Sequence, residues 1–500
     1  MMMNKTVLSA LMGTALALTA LALAACRGSA GGAENPAEAV LQDGRIDGRI
    51  TVSAYDSMAY RAFLEEAARR FQEKYPGTTV QVETAAAMPE IRTAESGGGR
   101  VMSVTSADDP QSRSDYISRV NTNLMSGKGA DVYAIDILPL QKYAGSGQLE
   151  NLDNYIRADS SFHRDAYRGN IIDASYYAGG LYFMPMDYSF SYFAYDRTLV
   201  PAELAAQFGT GSRFSTEDLV ELAKPFYQDG GPKLFSSYAS VNGMIRRRLD
   251  EYYQSIIDLE QKQARFTDGR LASLVGETLA WGEAGYIPQS VSGGANPEAL
   301  MRGGPPQPTD RFFFKPKLSS LLISQFTRGL SANRMMISSD GEAQGVEDDD
   351  EIAGIQANIN GIVPYTYEQA YGINANSPNK RTAWEFIKFL LSDEMQLSGA
   401  LSPTAMPINN GVRMQKAELV FTGAFMGRPS QPVTDAQQAA LENYRIAVEA
   451  LSDQINGYVL QDTIINDMFM GELKYYVSGE RSLEETARTL QNKVDLYLSE

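Results

Sequence analysis

The chain of 500 residues contains one histidine, His163, and one cysteine, Cys26. A lone histidine cannot build a multi-histidine metal centre. A lone cysteine cannot form a disulfide, a Cys-x-x-Cys redox pair or a zinc ribbon. His163 lies in Ser161-Phe162-His163-Arg164 and reads as a surface residue. No metal, cofactor or catalytic set is therefore implied. What remains is a supply of carboxylates and rings: 61 Asp and Glu, 27 Tyr, 20 Phe and 2 Trp. Paired carboxylates permit glycoside hydrolysis, but no spacing singles out a pair. Aromatic platforms with carboxylate and amide partners also suit a site for sugars, which present apolar CH faces and many hydroxyls. The acidic run 347–351, Glu-Asp-Asp-Asp-Glu, lacks the alternating Asp/Asn pattern and glycine of a calcium loop. It reads as a solvated loop.

The elements that must position these side chains follow from periodicity. Ile50, Val52 and Ala54 alternate with polar residues and predict a strand ending at Tyr55-Asp56. Asp56 and Ser57 then supply cap residues for a helix whose stripe is Tyr60, Phe63, Leu64, Ala67 and Phe71. Pro76-Gly77 ends it, and 78–82 alternates as a second strand. Residues 83–113 read as a long surface loop, 114–125 as a helix and 130–135 as a third strand. Strand and helix alternating in this way predict a parallel sheet, in which ligands sit beyond the carboxyl ends of the strands. Tyr55, Asp56 and Asp136 occupy those ends. Residues 215–300 read as mostly helical. Further on, 377–391 places Trp384 on an apolar helical face, as core, and 482–497 carries a capping box and an apolar stripe.

The formal net charge of -17 and a pI near 4.7 argue against a nucleic-acid binder, which needs a cationic footprint. Lys5 is the only charge ahead of an uncharged apolar run from Val7 to Ala25, the layout of an export signal. The run ends in Leu23-Ala24-Ala25-Cys26, which resembles a bacterial lipobox. That resemblance implies a signal peptide over 1–25, lipid attachment at Cys26, and a flexible tether over 26–47 that holds the body off the membrane. Two acyl chains suffice for stable anchoring. No other uncharged run is long enough to span a bilayer, so the body is expected outside the cytoplasm, anchored at the cell membrane.

Four segments, in this order, resemble the extracellular solute-binding protein family 1 of ABC importers, the branch related to maltose-binding protein. They are the strand and helix from Ile50 to Pro76, Gly129-Ala130-Asp131-Val132-Tyr133-Ala134-Ile135-Asp136 through Leu152, Gly180-Leu181-Tyr182-Phe183-Met184-Pro185 through Arg197, and Tyr371-Gly372-Ile373-Asn374-Ala375-Asn376-Ser377-Pro378 through Leu390. The resemblance implies an α/β, two-lobed, periplasmic-binding-protein-like fold with a ligand cleft between lobes joined by hinge strands. One lobe comprises 48–187 and 365–406, the other 188–364 and 407–500, with hinges near 186–191, 363–367 and 406–410. It further implies a non-enzymatic, monomeric protein that captures a carbohydrate by hinge closure and delivers it to permease subunits. The candidate ligand residues are Tyr55, Asp56, Asp136, Tyr188, Trp281, Tyr286 and Tyr367. The loop Ile135-Asp136-Ile137-Leu138-Pro139-Leu140 departs from the family in being more apolar, which points away from maltodextrin. Competing readings are a binding protein for a peptide, polyamine or metal complex, an exported glycan hydrolase, and an adhesin or sensor partner on the same fold.

Overall fold

The computed structural model describes residues 35–42, 45–55, 58–85, 91–96, 99–104, 110–235, 241–288, 312–326, 349–401, 405–422, 433–459 and 461–499. Cys26 and Asp56 lie outside them. Two five-stranded sheets organise the chain. Their strands, in chain order, are β1 (Gly48–Ala54), β2 (Thr78–Thr84), β3 (Val132–Ala134), β4 (Met184–Pro185), β5 (Ser191–Asp196), β6 (Arg213–Phe214), β7 (Lys233–Phe235), β8 (Phe312–Leu318), β9 (Asp350–Gln356) and β10 (Ala370–Ile373). The first sheet runs β2-β1-β3-β10-β4 and the second β7-β8-β5-β9-β6.

In the first sheet β1 pairs in parallel with β2 and β3, as the strand–helix–strand pattern predicts. Ile50, Val52 and Ala54 are fully buried, and so are Phe63, Leu64, Ala67 and Phe71 on helix α1 (Met58–Lys74). The two periodicities therefore meet in one core. Gly77 turns the chain from α1 into β2 in a left-handed conformation, φ 109°, that favours glycine. β10 closes the sheet antiparallel to β3 and β4. Gly372 is required there, because a Cβ would stand 2.7 Å from the Tyr182 carbonyl oxygen.

The second sheet packs the helices α2 (Val241–Ile256), α3 (Arg270–Glu283), α6 (Thr463–Val477) and α7 (Leu483–Ser499) into a separate core with Phe193, Phe235 and Phe314. Two further helices belong to the larger apolar cluster, which runs from the first sheet through the crossing to Tyr192 and Ala194 of β5 and Ile355 of β9: α4 (Lys380–Leu390) packs against α1 and β10, and α5 (Asp435–Ser452) packs against the helix Leu322–Phe326. Trp384 of α4 is fully buried and donates its indole N–H to Asp159 at 2.8 Å, as a core residue.

Among the described residues the chain crosses three times between the body built on the first sheet and the body built on the second. β4 leads through Asp187–Tyr188 into β5, β9 leads through Pro364–Tyr365 into β10, and Met406–Pro407 leads out of the first body. Asp187–Tyr188 pairs antiparallel with Met406–Pro407, a bridge joins Ser189 to Thr366, and Pro364–Tyr365 pairs in parallel with Gly457–Tyr458.

Three expectations need correction. Residues 83–113 are not one loop: β2 extends to Thr84, Ile91–Ser96 and Gly99–Val104 form an antiparallel hairpin, and a helix begins at Pro110. Ile91, Val101 and Val104 carried a strand signal that the surrounding polar residues masked. The tether is not wholly free chain either. Pro36–Gln42 is a helix with Ala37 buried in the first core; the Asn35 carboxamide accepts from the Ala37 N–H at 3.0 Å and donates to the Asn154 carbonyl at 2.7 Å. Asn35-Pro36 was a cap-plus-first-turn-proline signal. Finally, the described part of the acidic run is structured. Asp350 is buried in β9 and accepts from Lys315 at 2.9 Å and Lys317 at 2.6 Å, so its charge is matched across the sheet. Among the described residues no helix is long and apolar enough to cross a membrane.

Candidate functional site

The crossing strands are pinned by a buried polar group. Asp187 is fully buried and accepts the backbone N–H groups of Glu368 at 2.7 Å and Gln369 at 3.1 Å. Lys416, also buried, donates to the Ala405 carbonyl at 2.8 Å. Burial pushes the Asp187 carboxyl up and pulls the Lys416 ammonium down, and the opposite charge of each partner works against that shift.

Beside the crossing stands a wall of rings. Tyr367 and Tyr458 stack with centroids 5.5 Å apart at 27°, and their hydroxyls are 3.2 Å apart. Phe183 lies 5.4 Å from Tyr367 and 5.5 Å from Tyr458, while Tyr365 lies 5.4 Å from Tyr458. Offset and tilted packing at these separations is the favourable geometry for aromatic pairs. Tyr60 joins through its hydroxyl, which donates to the Glu368 carbonyl. Asp136, at the carboxyl end of β3, is half-buried and stands among these phenols. Burial pushes up the hydroxyls of Tyr60, Tyr116, Tyr367, Tyr371 and Tyr458, and the Asp136 charge adds to the rise at each. One carboxylate thus faces a set of hydroxylated rings drawn from α1 (Tyr60), the helix Pro110–Met125 ahead of β3 (Tyr116), β10 (Tyr371) and two crossing segments (Tyr367 and Tyr458).

The second body contributes a polar stripe on α2. Arg247, Asp250 and Gln254 share one helical face, spaced as i, i+3 and i+7. Arg247 donates to Gln356, Gln461 to Asp250 and Asn358 to Gln254, each at 3.3 Å. These bonds are at the long, weak end of the range, so the groups can exchange partners at low cost. Asp250 is exposed, yet surrounding protein pushes its carboxyl up, and the same crowding pulls Arg247 down. Past the end of α2, the charges of Glu260 and Asp258 reach Tyr177 of the first body, adding to the burial that pushes its phenol up. Tyr177 opens a tight turn in which Ala178 takes φ 46° and Gly179 φ 79°. The ring of Tyr182 packs against Gly180, where a Cβ would meet it at 2.8 Å.

The structure brings only part of the expected set together. Asp136 and Tyr367 share the ring wall. Tyr55 is buried at the end of β1, 5.6 Å from Tyr116. Tyr188 is fully buried in the crossing, with its hydroxyl 3.3 Å from Ser452. Trp281 is 8 % exposed in the second core, and the Arg248 guanidinium covers its indole at 4.3 Å. Tyr286 packs edge-on to Tyr227 at 5.0 Å in the same core. Phe183, Tyr458 and the α2 stripe were not anticipated. Phe183 belongs to a visible aromatic run, Leu181-Tyr182-Phe183, whereas Tyr458 has no local pattern that marks it.

Neither a protein-family model nor a curated protein matches the sequence. Solved structures do. An extracellular solute-binding protein family 1 member from Alicyclobacillus acidocaldarius is 16% identical, covers 91% of this chain and 100% of its own, and superposes with a TM-score of 0.52. A de novo designed cysteine esterase is 13% identical over 91% of this chain and 99% of its own, with a TM-score of 0.53. An ABC substrate-binding protein from Listeria monocytogenes, solved with cycloalternan, is 14% identical over 91% of this chain and 99% of its own, with a TM-score of 0.48. Two five-stranded sheets, crossing strands between them and the likeness to the Alicyclobacillus protein over its whole length give this chain the two-lobed α/β fold of the extracellular solute-binding proteins.

Proposed function

We propose that this chain is an exported substrate-binding protein of an ABC importer, anchored to the membrane through lipid on Cys26 and acting as a monomer. It captures an oligosaccharide between its lobes by hinge closure and delivers it to permease subunits; no bond is broken. The lobes are 48–187 with 365–406, and 188–364 with 407–500. The observation that carries this reading is the ring wall around Asp136 at the crossing. Tyr367 and Tyr458, both half-buried, offer flat apolar faces for sugar CH groups, and the buried ring of Phe183 backs them. Asp136 and the phenolic hydroxyls offer acceptors and donors for sugar hydroxyls. The α2 stripe of Arg247, Asp250 and Gln254 is offered as a further set of polar partners, since the bonds it makes are long.

A thermal-shift panel of mono- and oligosaccharides, with peptides and polyamines alongside, tests it. A ligand at about a hundred times its dissociation constant stabilises the folded state by about 2.7 kcal/mol. An oligosaccharide is expected to raise the melting temperature and to be recovered unchanged. Asp136→Asn and Tyr458→Ala are expected to weaken its binding by at least tenfold without loss of fold. A shift with polyamines or peptides alone, which a wall of rings and a carboxylate could also hold, refutes the carbohydrate assignment. Recovery of cleaved sugar refutes the binding-only mechanism.

A further inference from the structure

The two bodies also touch through a polar contact beside the ring wall. Gln141 and Lys142 lie on the short helix Leu140–Gly145 that follows β3, and its neighbours Leu140 and Tyr143 belong to an apolar cluster on the first sheet. Facing them is Asp462 at the start of α6, and Tyr497 on α7, which packs in the second core. Asp462 is 2 % exposed and divides its carboxylate between two tasks. Oδ1 caps α6, accepting from the Ile464 N–H at 2.9 Å and the Ile465 N–H at 3.2 Å. Oδ2 accepts from the Tyr497 hydroxyl at 2.8 Å and from the Gln141 carboxamide. The Asp462 N–H donates to the Tyr253 hydroxyl at 2.9 Å, fixing it to α2. Lys142 completes the contact: Nζ donates to the Tyr497 carbonyl at 3.2 Å and sits 3.8 Å from the centre of its ring. Nearby, Arg113 of the first body pairs with Asp467 of α6 at 3.1 Å.

The bonds sort by body. The cap, the Tyr497–Asp462 bond and the Tyr253 bond lie wholly within the second body and survive any movement of one body against the other. The Gln141–Asp462 and Lys142–Tyr497 contacts span the two and must break when the lobes part. Gln141 is 7 % exposed and Asp462 almost wholly enclosed, so this polar contact forms where the dielectric is low and its bonds are strong.

We infer that Gln141 and Lys142, seated on the rigid platform of Asp462 and Tyr497, form a clasp that holds the lobes closed without touching the ligand, and that this clasp sets how slowly the ligand leaves. The inference rests on the substrate-binding reading, since a ligand enclosed between lobes escapes only when they open. Breaking the clasp raises the opening equilibrium of the loaded protein and, with it, the dissociation rate.

The test uses the full chain carrying Gln141→Ala with Lys142→Ala, and separately Lys142→Met, which keeps the aliphatic stem. Both leave the α6 cap in place. Dissociation of the oligosaccharide found by the panel is followed by stopped flow, and small-angle scattering is recorded without ligand. The double variant is expected to release ligand about tenfold faster, Lys142→Met to a lesser degree in the same direction, and the ligand-free double variant to show a larger radius of gyration. An unchanged release rate and an unchanged radius in a variant that keeps its melting temperature overturn the clasp. If the panel yields no ligand, the substrate-binding reading fails by itself, and the scattering arm still decides whether these residues hold the lobes together.

Discussion

Replacing Trp281 by alanine separates a packing role from a ligand role. The indole is nearly enclosed in the second core and has the Arg248 guanidinium 4.3 Å from its centre. Arg248 has a fully enclosed side chain, held by the Leu274 carbonyl at 2.9 Å, the Thr278 hydroxyl at 2.9 Å and Glu277 at 2.7 Å. It cannot swing away to vacate the ring. Truncating a buried tryptophan to alanine costs about 3–5 kcal/mol from lost transfer energy and the cavity left behind. A desolvated cation–π contact accounts for about 2 kcal/mol of that. If the second body unfolds as a unit of ordinary domain size, about 4 kcal/mol lowers its melting temperature by roughly 8–16 °C. The assay is denaturant unfolding followed by far-ultraviolet circular dichroism, with Trp384 left as a fluorescent reporter of the first core. Ligand affinity of the folded variant is expected to stay within about twofold of the parent, an energy difference well under 1 kcal/mol. A variant of near-parental stability whose affinity falls tenfold or more would refute this reasoning and return Trp281 to the cleft.

Two further outcomes follow from buried groups. Glu251 is 4 % exposed, and burial pushes its carboxyl up to about 7 despite bonds from the Thr216 hydroxyl at 2.6 Å and Gln356 at 2.7 Å. Those two bonds converge on Oε1, while Oε2 takes just a longer bond from the Thr216 N–H at 3.2 Å, so a proton on Oε2 is tolerated. The native state therefore holds this proton at pH values where the unfolded chain has lost it. The stabilisation is complete below the ordinary glutamate range and is lost as pH rises through 7. That amounts to about 3 kcal/mol between about pH 4.5 and about pH 7.5. Glu251→Gln is expected to remove this slope, and urea unfolding at acidic and alkaline pH checks it; a constant gap between parent and variant sinks the idea. Gly372→Ala should destabilise the first sheet by about 1–3 kcal/mol through overpacking, because its Cβ would stand 2.7 Å from the Tyr182 carbonyl; an unchanged denaturation midpoint would show that the β4–β10 seam yields.

What could be read in the sequence was local and repeated. The alternation in β1, the stripe of α1 and the apolar face around Trp384 each report one buried side of one element, and each was buried as expected. Asp136 was legible as a candidate for the same reason, since the end of a parallel strand is set by the strand itself. Signals only a few residues long were overwhelmed by their surroundings: the Asn35-Pro36 helix start, the hairpin between Ile91 and Val104, and Asp350 inside an acidic run. Trp281 and Tyr286 show the opposite difficulty. Residue type alone cannot distinguish a ring that faces a cleft from one covered by Arg248 or Tyr227, because the covering group arrives from another helix or loop. Tyr458 met Tyr367 across 91 residues, and Gln141 met Asp462 across 321. Contacts at that separation depend on how two bodies settle against each other, a balance of packing and polar matching over whole surfaces. The composition excluded whole classes of chemistry and periodicity placed the strands and helices, while the ring wall, the polar stripe of α2 and the interlobe contact came into being only when the sheets were assembled and the chain had crossed between them.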